Sequence, residues 1–497
     1  MKVSLICVRD RRFYSSPSIK FTKHRIKNPF PGNKTHYVFG EPPLGIMYLS
    51  AVLKQAGHRV SLCDQCHPDY SDERYVEALQ AEQPDLVGIS FLSNMCYPAA
   101  RNLSRKIKET LPNLRIVYGG VFSTINAARI IATEQSVDIV VREEGEDIFL
   151  DLVQGLNRFQ NISGITFRSH TGEVVENPDR EKIRDLDAIP FPDREGLDIH
   201  YVASLPLDVP AVIWDRPYTT ILSSRGCPSS CTYCNCPTFS RRKYSARSAD
   251  NVLKELREIK RLGYTSFSFL DDNFLLDTQR GKDICQGIIA QGHDFRWACE
   301  GRVDNTVTGS SLFNDLSAAG CDLIMFGIES GSQRILDSMN KKTRLADIED
   351  AVSRAKKAGI GIVHGFFIIG SPGETVEEVR QTFDLAERLK INSFNFNSLT
   401  AFRGTLLWKD AVARGIIDED RDWDKMFPVH EIYPDVIDTQ TLFSLRSSLV
   451  RRLIRRKFLR NLGGAASIFR RFLQCMSAQD LYRLLTSSTS DHTRKRV

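Results

Sequence analysis

The chain opens on short, near-continuous apolar runs separated by stretches of helical period. "KVSLICV" is a β-rich run. "PPLGIMYLSAVLKQAG" follows with apolar positions at helical spacing, proline near its start and Gly57 at its end. "HRVSLCD", "ERYVEALQAEQ", "DLVGISFLS", "AARNLSRKIKETL", "LRIVYGG", "NAARIIATE" and "VDIVVREEGE" continue the alternation, which predicts five strands with helices between them. Strands apolar on both faces and joined through helices predict a doubly wound parallel sheet. Ligands bind such sheets outside the carboxyl ends of the strands. Here those ends carry Ser90 in "SFLSNM", Gly119 and Gly120 in "GGVFS", and Glu144 in "REEGED". The glycine pair suits either a tight turn or the close approach of a large flat ligand. No GxGxxG follows the first strand, which disfavours a dinucleotide.

The pattern changes near Asn161. "GITFRSHTGEVVENP" predicts a hairpin turning at Thr-Gly, and "LDAIPFPDREGL" is a proline-rich connector. From Thr219 the strand–helix beat resumes with "TTILSSRG", "TSFSFLDDNF", "FRWACEGRVD", "DLIMFGIES", "IGIVHGFFIIG" and "SFNFNSLTAF". Helical stretches lie between them, among them "SADNVLKELREIKRLG", with Ser248 as its N-cap and Asp250 in its first turn. Six such units predict a partial or complete β/α barrel, with its chemistry at the C-terminal ends of the strands. The fold class is therefore α/β: a doubly wound parallel sheet (1–157), a hairpin and connector (158–215), a β/α barrel (216–403) and a basic C-terminal helical region (404–497). In that last region "LRSSLVRRLIRRKFLRNLGGAASIFRRFL" is basic and amphipathic. It suits a helix covering the barrel with a solvated basic face, or contact with an anionic membrane surface; RNA contact is the weaker reading.

Composition narrows the chemistry. Twelve cysteines in 497 residues are too sparse for a disulfide scaffold. "MKVSLICVRDRR" reads as a strand and a basic loop rather than a secretion signal, and no apolar run reaches the roughly 18 residues of a membrane span. A reducing cytoplasm is the expected setting, where clustered cysteines bind metal or do chemistry. The net charge of +6 does not imply a nucleic-acid partner.

That matters for "SSRGCPSSCTYCNCP", which places Cys227, Cys231, Cys234 and Cys236 within ten residues just past the first barrel strand. Disulfides, zinc and an iron–sulfur cluster are the candidates. Structural zinc normally takes two separated pairs, and Cys236 follows Cys234 too closely for an ordinary zinc site. A four-iron cluster can take three thiolates, here spaced C-x3-C-x2-C, and leave its fourth iron open.

This motif, with Tyr233 inside its last C-x2-C, resembles that of the radical S-adenosylmethionine superfamily. "ARSADNVLKEL", "FLDDNF", "FGIESGSQRILDSMNK", "GFFIIGSPGET" and "NSLTAFRGTLLW" resemble, in order, the subfamily with an N-terminal cobalamin-binding domain. The resemblance implies a [4Fe-4S] cluster on Cys227, Cys231 and Cys234, with Cys236 outside the ligand set. It implies S-adenosyl-L-methionine on the fourth iron, cleaved to a 5′-deoxyadenosyl radical. Tyr233 would stand near the adenine. Glu329 and Ser330 would meet the methionyl amine or the ribose, and Arg302 a carboxylate. Asp271 and Asp272 would reach the same ligand or the substrate as catalytic groups. Cobalamin would lie on the first domain at Ser90, Gly119, Gly120 and Glu144. The D-x-H-x-x-G motif that ligates cobalt in many cobalamin proteins is absent; Asp64 and His67 in "CDQCHPDY" have the wrong spacing, so cobalamin is expected without a protein nitrogen. His364, in an apolar strand, reads as a core histidine. The implied activity is cobalamin-dependent methylation of an unactivated carbon in a small-molecule or lipid-like metabolite, fed by a flavodoxin or ferredoxin. The alternatives are cobalamin-assisted cyclisation, oxidation or rearrangement, and a non-catalytic electron carrier or redox sensor.

Overall fold

The computed structural model describes residues 1–9, 37–156, 158–205, 211, 212, 214, 216–304, 311–433 and 436–460. The basic stretch beyond residue 460 lies outside them. In the first domain β1 (Lys2–Cys7) is followed by β2 (Tyr37–Phe39), which joins a different sheet. Next come β3 (Arg59–Asp64), β4 (Leu86–Ser90), β5 (Arg115–Gly119) and β6 (Ile139–Val141). These five pair in parallel in the order β3-β1-β4-β5-β6. Side chains alternate across the sheet, so it serves two cores. Val3, Leu5, Leu86, Val117 and Ile139 pack against α1 (Leu44–Gln55) and a later helix, Glu146–Gln154. Ile6, Val87, Ile89, Ile116 and Val140 pack on the other face, against α2 (Tyr97–Thr110) and α3 (Ala127–Thr133).

The hairpin expected in the connector belongs to this sheet instead. β7 (Ile165–Arg168) pairs antiparallel with β6, and β8 (Val174–Glu176) with β7. Ile165 and Phe167 complete the core beside Ile148 and Phe149, so the first unit runs past residue 157. The connector is not loose either. Arg194 donates to Glu255 (2.5 Å) and to the Thr220 carbonyl (2.8 Å), and Arg247 takes the other oxygen of Glu255, all buried.

The second sheet holds the six expected strands in parallel: β10 (Tyr218–Ile221), β11 (Ser266–Phe269), β12 (Arg296–Gly301), β13 (Cys321–Glu329), β14 (Ile362–Ile369) and β15 (Ser393–Ser398). It does not close. Its free edge is extended by β9 (His200–Val202), antiparallel to β10, and then by β2, parallel to β9. The result is a curled half-barrel. Phe267, Phe269, Trp297, Cys299, Ile324 and Phe367 point outward, toward helices such as α4 (Ala249–Arg261), which Ser248 caps through Asn251 N–H as expected. Tyr218, Ala298, Leu323, Met325 and Ile362 point inward.

The C-terminal region is not separate. Trp423 enters the first domain's core beside Tyr97 and Phe122. Helix α5 (Thr439–Arg460) lays Leu442, Leu449 and Leu453 on the barrel, and Arg452 pairs with Asp384 at 2.6 Å. Among the described residues no helix is long and apolar enough to cross a membrane.

Gly120 carries a testable constraint. Its φ is 99°, and a Cβ there would stand 2.2 Å from the Phe91 carbonyl oxygen. Gly120→Ala is expected to destabilise the protein by roughly 3 kcal/mol or more, seen as a lower denaturation midpoint. Gly119→Ala, whose Cβ would meet nothing within 4 Å, should leave the midpoint nearly unchanged.

Candidate functional site

The cysteine loop leaves β10 and is held from outside at Ser223, Ser224, Arg225, Gly226, Ser230 and Thr232. Asp271, at the end of β11, accepts from Ser223 N–H (2.7 Å) and from the hydroxyls of Ser223 and Ser224 (both 2.6 Å), with Arg280 at 3.5 Å. Asp272 accepts from Gly226 N–H at 2.9 Å. Thr232 N–H donates to the Met339 carbonyl, Leu407 N–H to the Thr232 carbonyl, and the Asn340 amide to Ser230. The first domain grips the same loop. Arg225 donates to Glu146 at 2.6 Å, stands 3.6 Å from Glu144 and lies over the ring of Tyr48.

So held, Cys227, Cys231 and Cys234 all line one cavity of about 250 Å³. Tyr233, Asp272, Glu300, Arg302, Met325, Glu329, Lys341 and Phe366 line it too. Among the described residues no three His, Cys, Asp or Glu side chains converge on a point that would hold a single metal ion. The chain's other C-x2-C pair, Cys63 and Cys66, diverges: Cys63 packs with the first domain's core and Cys66 with the barrel interior. Cys236 opens a short helix, stands 3.8 Å from the Ser240 hydroxyl, and borders the same cavity. A larger surface hollow of about 400 Å³ lies between Phe191–Glu195 and α4, but it sets Lys254, Arg257 and Arg261 against Asp193, Glu195 and Glu258 and holds no thiol.

The other expected residues divide. Glu329 ends β13 at a bulge with φ of 67°, and its carboxylate accepts from Lys341 Nζ at 2.7 Å. Gly327 makes room for that pair, since a Cβ would sit 2.7 Å from Glu329 Oε1 and 2.9 Å from Lys341 Nζ. The Tyr233 hydroxyl stands 3.5 Å from Lys341 Nζ; burial, then the Glu329 charge, hold its phenol well above the usual range. Arg302 lines the cavity, but its fork is filled by Asp304. Ser330 turns away from the cavity: its hydroxyl meets Thr382 and accepts from Ser332 N–H. Asp271 is likewise enclosed, its oxygens taken by the loop, which corrects the expectation that it reaches a ligand. His364 is fully buried with Nδ1 3.0 Å from the Ser393 hydroxyl, and His67 accepts from Asp69 N–H.

Two residues the sequence reading did not assign stand out. Lys341 comes twelve residues after Glu329, across a turn whose path the sequence does not disclose. Glu300 was legible in principle: along "RWACEG", Trp297 and Cys299 face out and Ala298 faces in, so Glu300 faces in as well.

On the first domain Ser90 and Gly119 pair side by side at the strand ends. Next to them Leu92 is 65% and Met95 42% exposed, and Asn94 Oδ1 is buried with no partner among the described residues. An open, apolar rim with one orphaned acceptor fits a large flat ligand. Glu144 is turned from this rim toward Arg225 and Ile183 N–H. The helical turn Val121–Ile125 that follows β5 meets the cysteine loop's flank: a Cβ on Gly404 would contact both Ile125 and Thr238.

Comparison with known proteins decides the family. A radical SAM superfamily model matches residues 221–386, and a B12-binding domain model matches residues 34–153. An uncharacterized methyltransferase of Pyrococcus horikoshii is 32% identical over 381 residues, 76% of this chain and 80% of that protein. The chain belongs to the cobalamin-binding radical S-adenosylmethionine enzymes. Other relatives of these enzymes include the anaerobic magnesium-protoporphyrin IX monomethyl ester cyclase of Rubrivivax gelatinosus (26% identical, 84% of this chain, 74% of that one). The hopanoid C-3 methylase of Methylococcus capsulatus is also 26% identical (83% and 78%). Among solved structures, the radical S-adenosylmethionine methyltransferase TsrM of Kitasatospora setae, with cobalamin and a [4Fe-4S] cluster, superposes with a TM-score of 0.64 at 17% identity, covering 83% of this chain and 78% of that one. The cobalamin-dependent enzyme OxsB superposes at 0.63 with 20% identity; the match covers 87% of this chain and spans 58% of OxsB. The cofactors of the family are a [4Fe-4S] cluster, S-adenosyl-L-methionine and cobalamin; the three cysteines lining the cavity are of the donor type such a cluster takes, and the open rim, whose Asn94 oxygen has no partner among the described residues, fits a large ligand.

Glu300 gives a pH prediction. Burial, then the charges of Glu41 and Asp272, push its carboxyl up from 4.5 to about 7. Between those values the folded protein holds a proton that the unfolded chain has lost. Stability therefore falls as pH rises from about 4.5 to about 7, and no further above that. Glu300→Gln removes this slope. Its melting temperature should gain on the native protein's across that window, with the gap level at higher pH.

Proposed function

We propose that this enzyme methylates an unactivated carbon of a small, largely apolar metabolite. The observation that carries the reading is the cavity itself: Cys227, Cys231 and Cys234 line it together with Met325, Phe366 and Glu300, and the helical turn Val121–Ile125 of the cobalamin-type domain lies against the loop's flank. The names of the Pyrococcus and Methylococcus relatives favour methyl transfer, and the latter's favours a lipid-like substrate.

In this reading Cys227, Cys231 and Cys234 hold the cluster. Tyr233 and the Glu329–Lys341 pair face the S-adenosylmethionine, and Asp272 offers a carboxylate to its cationic end. Ser90, Gly119, Leu92, Asn94 and Met95 receive cobalamin, with no histidine among them. When bound, these groups supply the electron, the radical and the methyl carrier that acid–base side chains cannot. The protein's share is to hold the reactants close and keep out water. A one-electron donor of the flavodoxin or ferredoxin class completes the system. Membrane contact through α5 has less support, because the apolar side of its described part is already on the barrel. The Rubrivivax relative favours a second reading, radical cyclisation without methyl transfer.

The test uses anaerobically reconstituted protein, S-adenosylmethionine carrying a deuterated methyl group, and candidate lipid and small-molecule pools. A product carrying the label, together with 5′-deoxyadenosine, is the expected result; 5′-deoxyadenosine with an unlabelled product would favour cyclisation. Cys227→Ala, Cys231→Ala and Cys234→Ala should each abolish the cluster's absorption and the cleavage, while Cys236→Ala should retain both. Gly119→Val should weaken hydroxocobalamin binding about tenfold or more without lowering the melting temperature, since the added methyls enter the rim and not the core.

A further inference from the structure

We propose that Arg302 sets the reduction potential of the cluster by donating a hydrogen bond to one of its thiolate ligands. The inference rests on the assignment of Cys227, Cys231 and Cys234 as those ligands. Arg302 Nη1 lies 3.2 Å from Cys231 Sγ. The rest of the guanidinium is fixed. Nε donates to both oxygens of Asp304 (3.0 and 3.1 Å), and Nη2 to Asp304 Oδ2 (2.9 Å) and to the Lys341 carbonyl. Its backbone N–H donates to Asn273 Oδ1 at 3.1 Å. Arg302 is 7% exposed. The edge of the fork that grips a carboxylate in bidentate fashion, Nε with Nη2, is already filled by Asp304. What remains free to point into the cavity is Nη1, and it points at sulfur. The family resemblance implied a clamp on the carboxylate of S-adenosylmethionine; this geometry assigns Arg302 to the cluster.

The direction of the effect follows from charge. Reduction adds one electron, from the donor protein or from a chemical reductant such as dithionite, and no bond is made or broken. The added negative charge spreads over the sulfurs. A cationic donor held on one sulfur stabilises the reduced form more than the oxidised one, and burial strengthens the effect. Among the described residues Cys234 Sγ accepts only from the backbone N–H of Cys236, at 3.4 Å, and no side chain donates to Cys227 Sγ. Cys231 is thus the ligand through which a described side chain can act on the cluster.

The experiment is a redox titration of the full-length, cluster-loaded protein, followed by the spin-resonance signal of the reduced cluster. At a fixed potential, Arg302→Gln should lower the ratio of reduced to oxidised cluster about tenfold, a shift of about 59 mV to more negative values for one electron. Iron and sulfide content should stay at the native level. Arg302→Lys should fall between the two. Asp304→Asn, which unmasks the guanidinium charge, should shift the midpoint the other way. An unchanged midpoint in Arg302→Gln would overturn the proposal, above all if S-adenosylmethionine then bound tenfold more weakly, the mark of a carboxylate clamp. If Arg302→Gln takes up no cluster, Arg302→Lys and Asp304→Asn decide, and unchanged midpoints in both overturn it. Failure of the native protein to take up iron would instead refute the ligand assignment beneath it.

Discussion

A ten-residue loop must present three thiols around a space large enough for a cofactor, and it has little secondary structure of its own to do so. Buried backbone groups need partners, and a loop that turns around a void cannot supply them from within. The partners come from elsewhere: Asp271 and Asp272 from β11, Met339 and Asn340 from the turn after β13, Leu407 from the C-terminal region, and Glu146 from the first domain through Arg225. The loop's shape is therefore a property of the whole chain. This is why the first domain and the C-terminal region pack against the barrel and do not hang from it by linkers. It is also why Asp271, the most conspicuous carboxylate in "FLDDNF", is unavailable to a ligand. A carboxylate that accepts from Ser223 and Ser224 is holding the exit of β10, and its neighbour Asp272 is the one left facing the cavity.

Much of the architecture was legible because it is periodic. The five parallel strands of the first sheet and the six parallel strand–helix units of the barrel all fall where apolar runs alternate with helical stretches, and Ser248 caps its helix as its residue type suggests. What escaped was pairing between distant segments. Nothing local in "YVF" says that β2 will extend the barrel sheet beside β9, and the hairpin's hydrophobic face reads the same whether it ends a sheet or starts a connector. Strand partners are chosen by tertiary context. The site divides in the same way. The three cysteines were readable because they are neighbours in sequence. The Glu329–Lys341 pair was not, because its two halves meet only after a bulge, a turn and a short helix have been built.

The charges in the cavity are unevenly compensated. Glu329 has Lys341 and Arg302 has Asp304, each at hydrogen-bonding distance. Among the described residues Asp272 has no cation beside it, only the Gly226 N–H and the Cys236 thiol, and Glu300 is opposed by the like charges of Glu41 and Asp272. Uncompensated carboxylates in a low-dielectric space are costly unless a cation arrives or a proton is taken up. The two solutions separate along the cavity. Asp272 lies with the cysteine loop, where in the proposed reading it would meet the cationic end of S-adenosylmethionine. Glu300 faces inward among Met325 and Phe366, and near neutral pH it takes a proton instead.

That separation bears on why relatives sharing this scaffold carry the names of a methylase of hopanoids and a cyclase of a porphyrin ester. The groups that hold the loop and pair the fixed charges are tied to one another by short hydrogen bonds, so changing one of them disturbs the cluster's whole environment. The inward wall is different. Glu300 accepts no hydrogen bond from the loop, and Met325 and Phe366 contribute bulk and not polarity, so these positions can change size or polarity without releasing the cysteines. A neutral carboxylic acid set into an apolar wall can donate one hydrogen bond to a substrate oxygen and offers no charge to attract an ion. In the methylating reading proposed above, that would favour a molecule apolar over most of its surface that offers an acceptor oxygen to Glu300.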